Sequence, residues 1–139
     1  MAGSAPVLVL EPDPSDPVDR LGDWLTDAGL TLEVRAATDG VPASLEGFAA
    51  LVVMGGAAAA WEDERAPFLP AIRALLREAV ATEVPTLGVC LGAQLLAYAH
   101  GGTVAPNPDG PEYGAQLVAK RGAAATDPLF RELPITPDV

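Results

Sequence analysis

The chain has 139 residues, half of them hydrophobic and 19% charged, with eight Lys and Arg against nineteen Asp and Glu. This balance predicts one folded globular domain over residues 1–139, able to bury roughly two-thirds of its unfolded surface. The net charge of −11 argues against nucleic-acid and anionic-membrane partners, which need clustered basic side chains. One cysteine, no basic leader and no apolar run of spanning length point to a reducing, cytoplasmic setting.

Pro6 to Leu10 is a short apolar run that reads as a buried first strand. Asp16 then suits a helix N-cap and Pro17 the first helical position. Val18, Leu21, Leu25 and Ala28 hold helical spacing up to a stop at Gly29. The acidic loop between Glu11 and Asp16 is explained by capping, with lining of a site as the alternative. Leu30 to Arg35 alternates apolar and polar residues, as in a strand nearer a sheet edge. Asp39 to Pro42 is turn chemistry, and Ser44 to Phe48 suggests a brief helical turn.

Ala50 to Met54 is apolar throughout, as central parallel strands are, and runs into Gly55-Gly56. Apolar residues at 68, 69, 72, 75, 76, 79 and 80 predict a long amphipathic helix over 67–80. Val84-Pro85-Thr86-Leu87 leads into Gly88-Val89-Cys90-Leu91-Gly92, and a helical pattern of Leu91, Leu95 and Tyr98 starts at once. This is the pattern of a nucleophile elbow, a sharp strand-to-helix turn that lifts one side chain out of the sheet. Beyond Gly101-Gly102 the signal weakens. Thr103 to Ala105 and Gln116 to Ala119 are candidate strands, and Asp127 to Phe130 a one-turn helix.

Strands alternating with helices imply an α/β fold: an open, mostly parallel, doubly wound sheet with right-handed crossovers. Ligands bind such sheets at the carboxyl ends of the strands, so Gly55-Gly56 and Cys90 are expected to converge there. A free thiol is only a few per cent thiolate at neutral pH, and a histidine base is normally needed. The only histidine is His100, about 15 Å along the elbow helix at ~1.5 Å per residue, too far to serve Cys90. Acyl chemistry also needs oxyanion donors; the N–H of Leu91 is the usual one at an elbow, and Gly56 is a candidate second. Gln94 lies one helical turn after Cys90 on the same face.

The segments Val53-Met54-Gly55-Gly56, Trp61-Glu62-Asp63, Gly88 to Ala97 and Gly110-Pro111-Glu112-Tyr113-Gly114 together resemble the class I (Cys-type) glutamine amidotransferases, especially the GMP-synthase-like stand-alone members. The resemblance implies a flavodoxin-like fold and release of ammonia from glutamine through a γ-glutamyl thioester. It assigns Cys90 as nucleophile, Gly56 and Leu91 as the oxyanion hole, and Gln94 and Gly55 as glutamine contacts, with no cofactor and no metal. An ammonia-accepting synthetase is the implied partner.

In that family the histidine and its acidic partner lie on a later strand and loop. The chain is therefore expected to correspond to the N-terminal portion of such a domain, with an open sheet and half an active site. It is expected to be inactive as it stands. Ala57 to Ala60 is also plainer than the loop usually found there. Three other readings remain open. One is an α/β-hydrolase of the dienelactone-hydrolase type with a cysteine elbow. Another is a Cys-dependent deglycase-like protein in which Glu11 polarises the cysteine. The third is a non-catalytic binding module of the same fold.

Overall fold

Four short strands run in parallel in a computed structural model that describes residues 4–136. They are β1 (Val7–Glu11), β2 (Leu32–Ala36), β3 (Ala50–Val53) and β4 (Thr86–Gly88), in the order β2-β1-β3-β4. Val9 pairs with Val34 on one side and Val52 on the other, and Val53 pairs with Gly88. Three helices connect or follow them: α1 (Asp19–Asp27), α2 (Leu69–Ala81) and α3 (Leu91–Ala99). The expected parallel α/β architecture is thus the one observed, with β2 at an edge.

Both faces of the sheet are covered, which is why β1 and β3 read as unbroken apolar runs. Side chains alternate across the pleat. Leu8, Leu10, Leu51 and Val53 face Leu69, Ile72, Leu75 and Leu76 of α2 and Leu91 and Leu95 of α3. Val7, Val9 and Val52, with Met54, face the other way against Val18, Leu21 and Leu25. Burying one such aliphatic side chain contributes about 1.5–3 kcal/mol, so this two-sided core is the main stabilising feature.

The ends of α1 differ from expectation at one side and match it at the other. Asp16 is not the N-cap and Pro17 is not the first helical residue: the helix begins at Asp19, and no side chain caps it from Val18. The reason is competition from Asp13, whose Oδ1 accepts the N–H and hydroxyl of Ser15 while its carbonyl accepts the Asp16 N–H. That turn aims Asp16 elsewhere, and Glu11 Oε1 accepts the Val18 N–H at 2.8 Å in its place. At the far end Gly29 (φ +90°) closes the helix as expected, with Leu30 N–H bonded to Leu25 O and Gly29 N–H to Thr26 O.

Ser44 to Phe48 forms a single β-turn, Phe48 N–H to Leu45 O, in place of a helical turn. Ala37–Asp39 is a 3₁₀ turn that the sequence pattern did not indicate. No strand forms at 103–105 or across 116–119; Leu117 makes only an isolated bridge.

The residues up to Val104 form one compact unit and those from Ala105 a second. Within the second, Gly122–Ala125 is a 3₁₀ turn. Asp127 Oδ1 accepts the N–H groups of Leu129 and Phe130, which makes a turn in place of the one-turn helix expected there. The Lys120 ammonium donates to the carbonyls of Arg131 and Leu133, just beyond that turn.

Candidate active site

The β4–α3 junction is as tight as the Gly-x-Cys-x-Gly pattern demands. Cys90 has φ 52° and ψ −112°, an unfavourable conformation for a residue with a side chain. It is held by backbone bonds on either side: Val89 N–H to Val53 O at 2.9 Å, Gly92 N–H to Val89 O at 2.9 Å, and Gln94 N–H to Cys90 O at 3.1 Å. A Cβ on Gly92 would lie 2.0 Å from the Val53 carbonyl oxygen, and one on Gly88 would lie 2.7 Å from Ala93 N and Gly92 O. Both glycines therefore let α3 start directly against β3 and β4. The outcome is a thiol exposed above the sheet at the N-terminus of α3.

The loops after β1 and β3 close on the same point. The space where a Gly55 Cβ would stand is filled by Asp16 Oδ2, 1.7 Å away, with Cys90 Cβ at 3.3 Å. The equivalent point on Gly56 lies 3.1 Å from Asp13 Cβ and 3.2 Å from Leu91 Cδ2. Gly55, Gly56, Cys90 and Leu91 are thus brought together, as the sheet topology requires. Among the described residues, the N–H groups of Gly56 and Leu91 have no acceptor, whereas the Ala57 N–H is taken by Asp13 Oδ2 at 3.2 Å. A cleft of about 140 Å³ opens beside them, lined by Pro12, Asp13, Gly56, Ala57, Arg65 and Leu91.

Asp13 is the organiser that the sequence reading placed in a capping loop. Hydrogen bonds from the Ser15 hydroxyl and N–H, then from Ala57, hold its carboxyl below the ordinary value of 3.8. Its two oxygens tie the loop after β1 to the loop after β3. Glu11, the acid suggested for polarising the thiol, accepts the Val18 N–H through Oε1.

Arg73 is the second organiser, and nothing in the apolar periodicity of α2 announced it. Only 9% exposed, it donates to the Ala60 carbonyl at 2.9 Å and forms a two-pronged pair with Asp63 at 2.8 and 2.7 Å. Its guanidinium also lies 5.4 Å from the Tyr98 ring centre. The loop after Gly56 is therefore clamped onto α2 and α3, and the hydrogen bond from Arg73 keeps the Asp63 carboxyl below its ordinary value.

Two further polar residues lie on α3 itself. Gln94 is exposed one turn along α3, where its backbone N–H meets Cys90 O and its side chain has no hydrogen-bond partner among the described residues. His100 ends α3, exposed, with Nδ1 2.8 Å from Leu96 O. It stands too far from Cys90 to be its base. No group of His, Cys, Asp and Glu among the described residues is arranged to hold a metal ion. No described helix is long and apolar enough to cross a membrane.

Residues 20–136 match the family model of the class-I glutamine amidotransferases. The chain belongs to this family. It is 37% identical over 89 residues to the glutamine-hydrolysing GMP synthase of Thermomicrobium roseum and 38% identical over 95 residues to that of Christiangramia forsetii. Those matches cover 64% and 67% of this chain but only 15% and 16% of the two synthases.

Among solved structures, a glutamine amidotransferase from Methylobacillus flagellatus superposes with a TM-score of 0.76 at 33% identity, covering 87% of this chain and 49% of the other. One from Thermotoga maritima gives 0.85 at 26% identity, covering 97% and 59%. The flavodoxin-like class I fold and the GMP-synthase-like character that the resemblance implied are thus those of the relatives.

Proposed function

We propose that this chain supplies the nucleophile and oxyanion hole of a glutaminase site. Cys90 Sγ, as thiolate, attacks the side-chain carboxamide of glutamine and forms an S–C bond. The resulting oxyanion accepts hydrogen bonds from the Gly56 and Leu91 N–H groups. Collapse breaks the C–N bond, and the nitrogen leaves as ammonia once protonated. The remaining γ-glutamyl thioester is hydrolysed by water to glutamate and the free thiol. Gly55 and Gln94 border the bound glutamine. The ammonia passes to an acceptor handled by a synthetase, as the GMP synthase relatives suggest.

The observation that supports this reading most is a strained, exposed Cys90 in the same loop cluster as two N–H groups, of Gly56 and Leu91, that have no acceptor among the described residues. Donors held free by the backbone near the nucleophile are available to a developing oxyanion without breaking another bond first. The site as described lacks a base for the thiol. The reading therefore assigns proton transfer to a histidine outside these residues, and the 139 residues alone are not expected to turn glutamine over.

The test is covalent labelling, which needs one nucleophilic event. A diazoketone analogue of glutamine should add a single mass increment at Cys90, glutamine should slow the labelling, and Cys90→Ala should abolish it. Labelling that glutamine leaves unchanged would sink the proposal. Turnover of aryl esters in its place would favour the hydrolase reading.

A further inference from the structure

Three carboxylates, Glu11, Asp13 and Asp16, lie at or just beyond the end of β1, and two of them are occupied. Glu11 accepts the Val18 N–H, and Asp13 accepts from Ser15 and Ala57. Asp16 is different. Its carboxylate has no hydrogen-bond donor among the described residues, is only partly buried, and fills the space above Gly55 that also faces Cys90 Cβ. A residue with a side chain at position 55 would displace it, since Asp16 Oδ2 lies 1.7 Å from where that Cβ would be. The sequence thus keeps an unpartnered negative charge beside the nucleophile at the cost of a glycine.

We propose that Asp16 is a specificity residue that makes the site accept carboxamides and reject carboxylates. The inference rests on the reading of Cys90 as the nucleophile for a glutamine side chain. The oxyanion donors cannot make this distinction, because an amide and an acid both present an oxygen to them. The other substituent does differ: a carboxamide carries an NH₂ that donates two hydrogen bonds, whereas a carboxylate carries only acceptors and a full negative charge. A carboxylate beside the thiol accepts from the first and repels the second. The same repulsion drives glutamate out once the thioester is hydrolysed, so that product does not accumulate on the nucleophile.

The test uses iodoacetamide and iodoacetate, which alkylate the same sulfur with loss of iodide and differ only as amide and acid. The quantity read is the ratio of their rates at Cys90, from which changes in thiol reactivity and exposure cancel. Asp16→Asn should shift that ratio toward iodoacetate about fivefold, the effect of one unit charge on another a few ångströms away through water. Asp23→Asn, which removes an equal charge from the exposed face of α1, should leave the ratio within about 1.5-fold of the parent, as long-range charge is screened. Asp16→Ser provides a second replacement, and circular dichroism verifies that each variant is folded.

An unchanged ratio in Asp16→Asn and Asp16→Ser, or an equal change in Asp23→Asn, would overturn the proposal. The ratio shift and glutamine protection of Cys90 report separately. A shift without protection would remove the glutaminase reading and leave the charge filter standing. Protection without a shift would do the reverse.

Discussion

Arg73→Met removes a buried cation while keeping most of the side chain's volume, and the structure apportions the cost. The Ala60 carbonyl, on a residue with no exposed surface, loses its donor; leaving such a group unsatisfied costs about 1–3 kcal/mol. The guanidinium over Tyr98 contributes ~0.5–1 kcal/mol. The pair with Asp63 adds little, about 0.2–1 kcal/mol, because the Asp63 side chain is 44% exposed and water can replace its partner. The expected loss is about 2–4 kcal/mol, a large part of a typical domain's 5–15. Asp63→Asn, which removes only the exposed half, should cost about 1 kcal/mol or less. Urea unfolding followed by the fluorescence of Trp24 and Trp61, in a double-mutant cycle, measures both. If Asp63→Asn proved as costly as Arg73→Met, the energy would reside in the ion pair and this reasoning would be wrong.

Gly92→Ala should destabilise the protein by about 1–3 kcal/mol, because its Cβ would stand 2.0 Å from a strand carbonyl that cannot move aside without shifting β3; a melting temperature within 2 °C of the parent would contradict this. Glu83 ends α2 with φ 57° in the same bonding pattern that Gly29 completes for α1, Val84 N–H to Ala79 O and Glu83 N–H to Val80 O. Glu83→Gly should therefore raise stability by ~0.5–1 kcal/mol, since a side chain is disfavoured there, and the midpoint of urea unfolding would show it. Asp13 and Asp63 both have pKa values below their unfolded ones, Asp13 through Ser15 and Asp63 through Arg73. Their contribution is complete above about pH 5 and fades as pH falls through the ordinary value near 4 and below it. Replacing both by Asn should flatten the acid side of the stability–pH curve in that range and leave pH 6–8 unchanged in slope.

How much of this was legible in the sequence depended on the range of the interaction. The strands β1 and β3 were legible because burial on both faces leaves a local trace, an uninterrupted apolar run. The elbow was legible because its turn is marked locally, by two glycines flanking a cysteine between a strand and a helix, even though the clash that Gly92 avoids is with the distant Val53 carbonyl. Asp16 was misread because Asp-Pro before an apolar helix is a good capping signal, and an equally local competitor, the turn in which Asp13 accepts from Ser15 and Asp16, takes its place. Arg73 left no trace at all. A charged residue within a helical period carries no sign of whether it faces water or a carbonyl. Beyond Gly102 the segments are polar and turn-rich, so their periodicity was too weak to separate a strand from the isolated bridge at Leu117.

The site itself follows from topology before any side chain is considered. The strand order β2-β1-β3-β4 makes β1, β3 and β4 consecutive neighbours, and parallel pairing sends all three carboxyl ends to one edge. Three loops must then meet there, whatever their sequences. What the residues add is the removal of obstacles and the placement of charge. Gly88 and Gly92 allow the helix to start against the sheet, Gly55 makes room for the Asp16 carboxylate, and Asp13 and Arg73 fix the loop that carries Gly56. Strain at Cys90 is sustained because the residue before it is bonded to the β3 backbone, Val89 N–H to the carbonyl of the fully buried Val53. A substitution that loosens β3, such as Val53→Ala, should accordingly relax the elbow and slow Cys90 labelling by the glutamine analogue more than it slows alkylation by iodoacetamide. Equal slowing of both would mean that the elbow geometry makes no separate contribution to recognition.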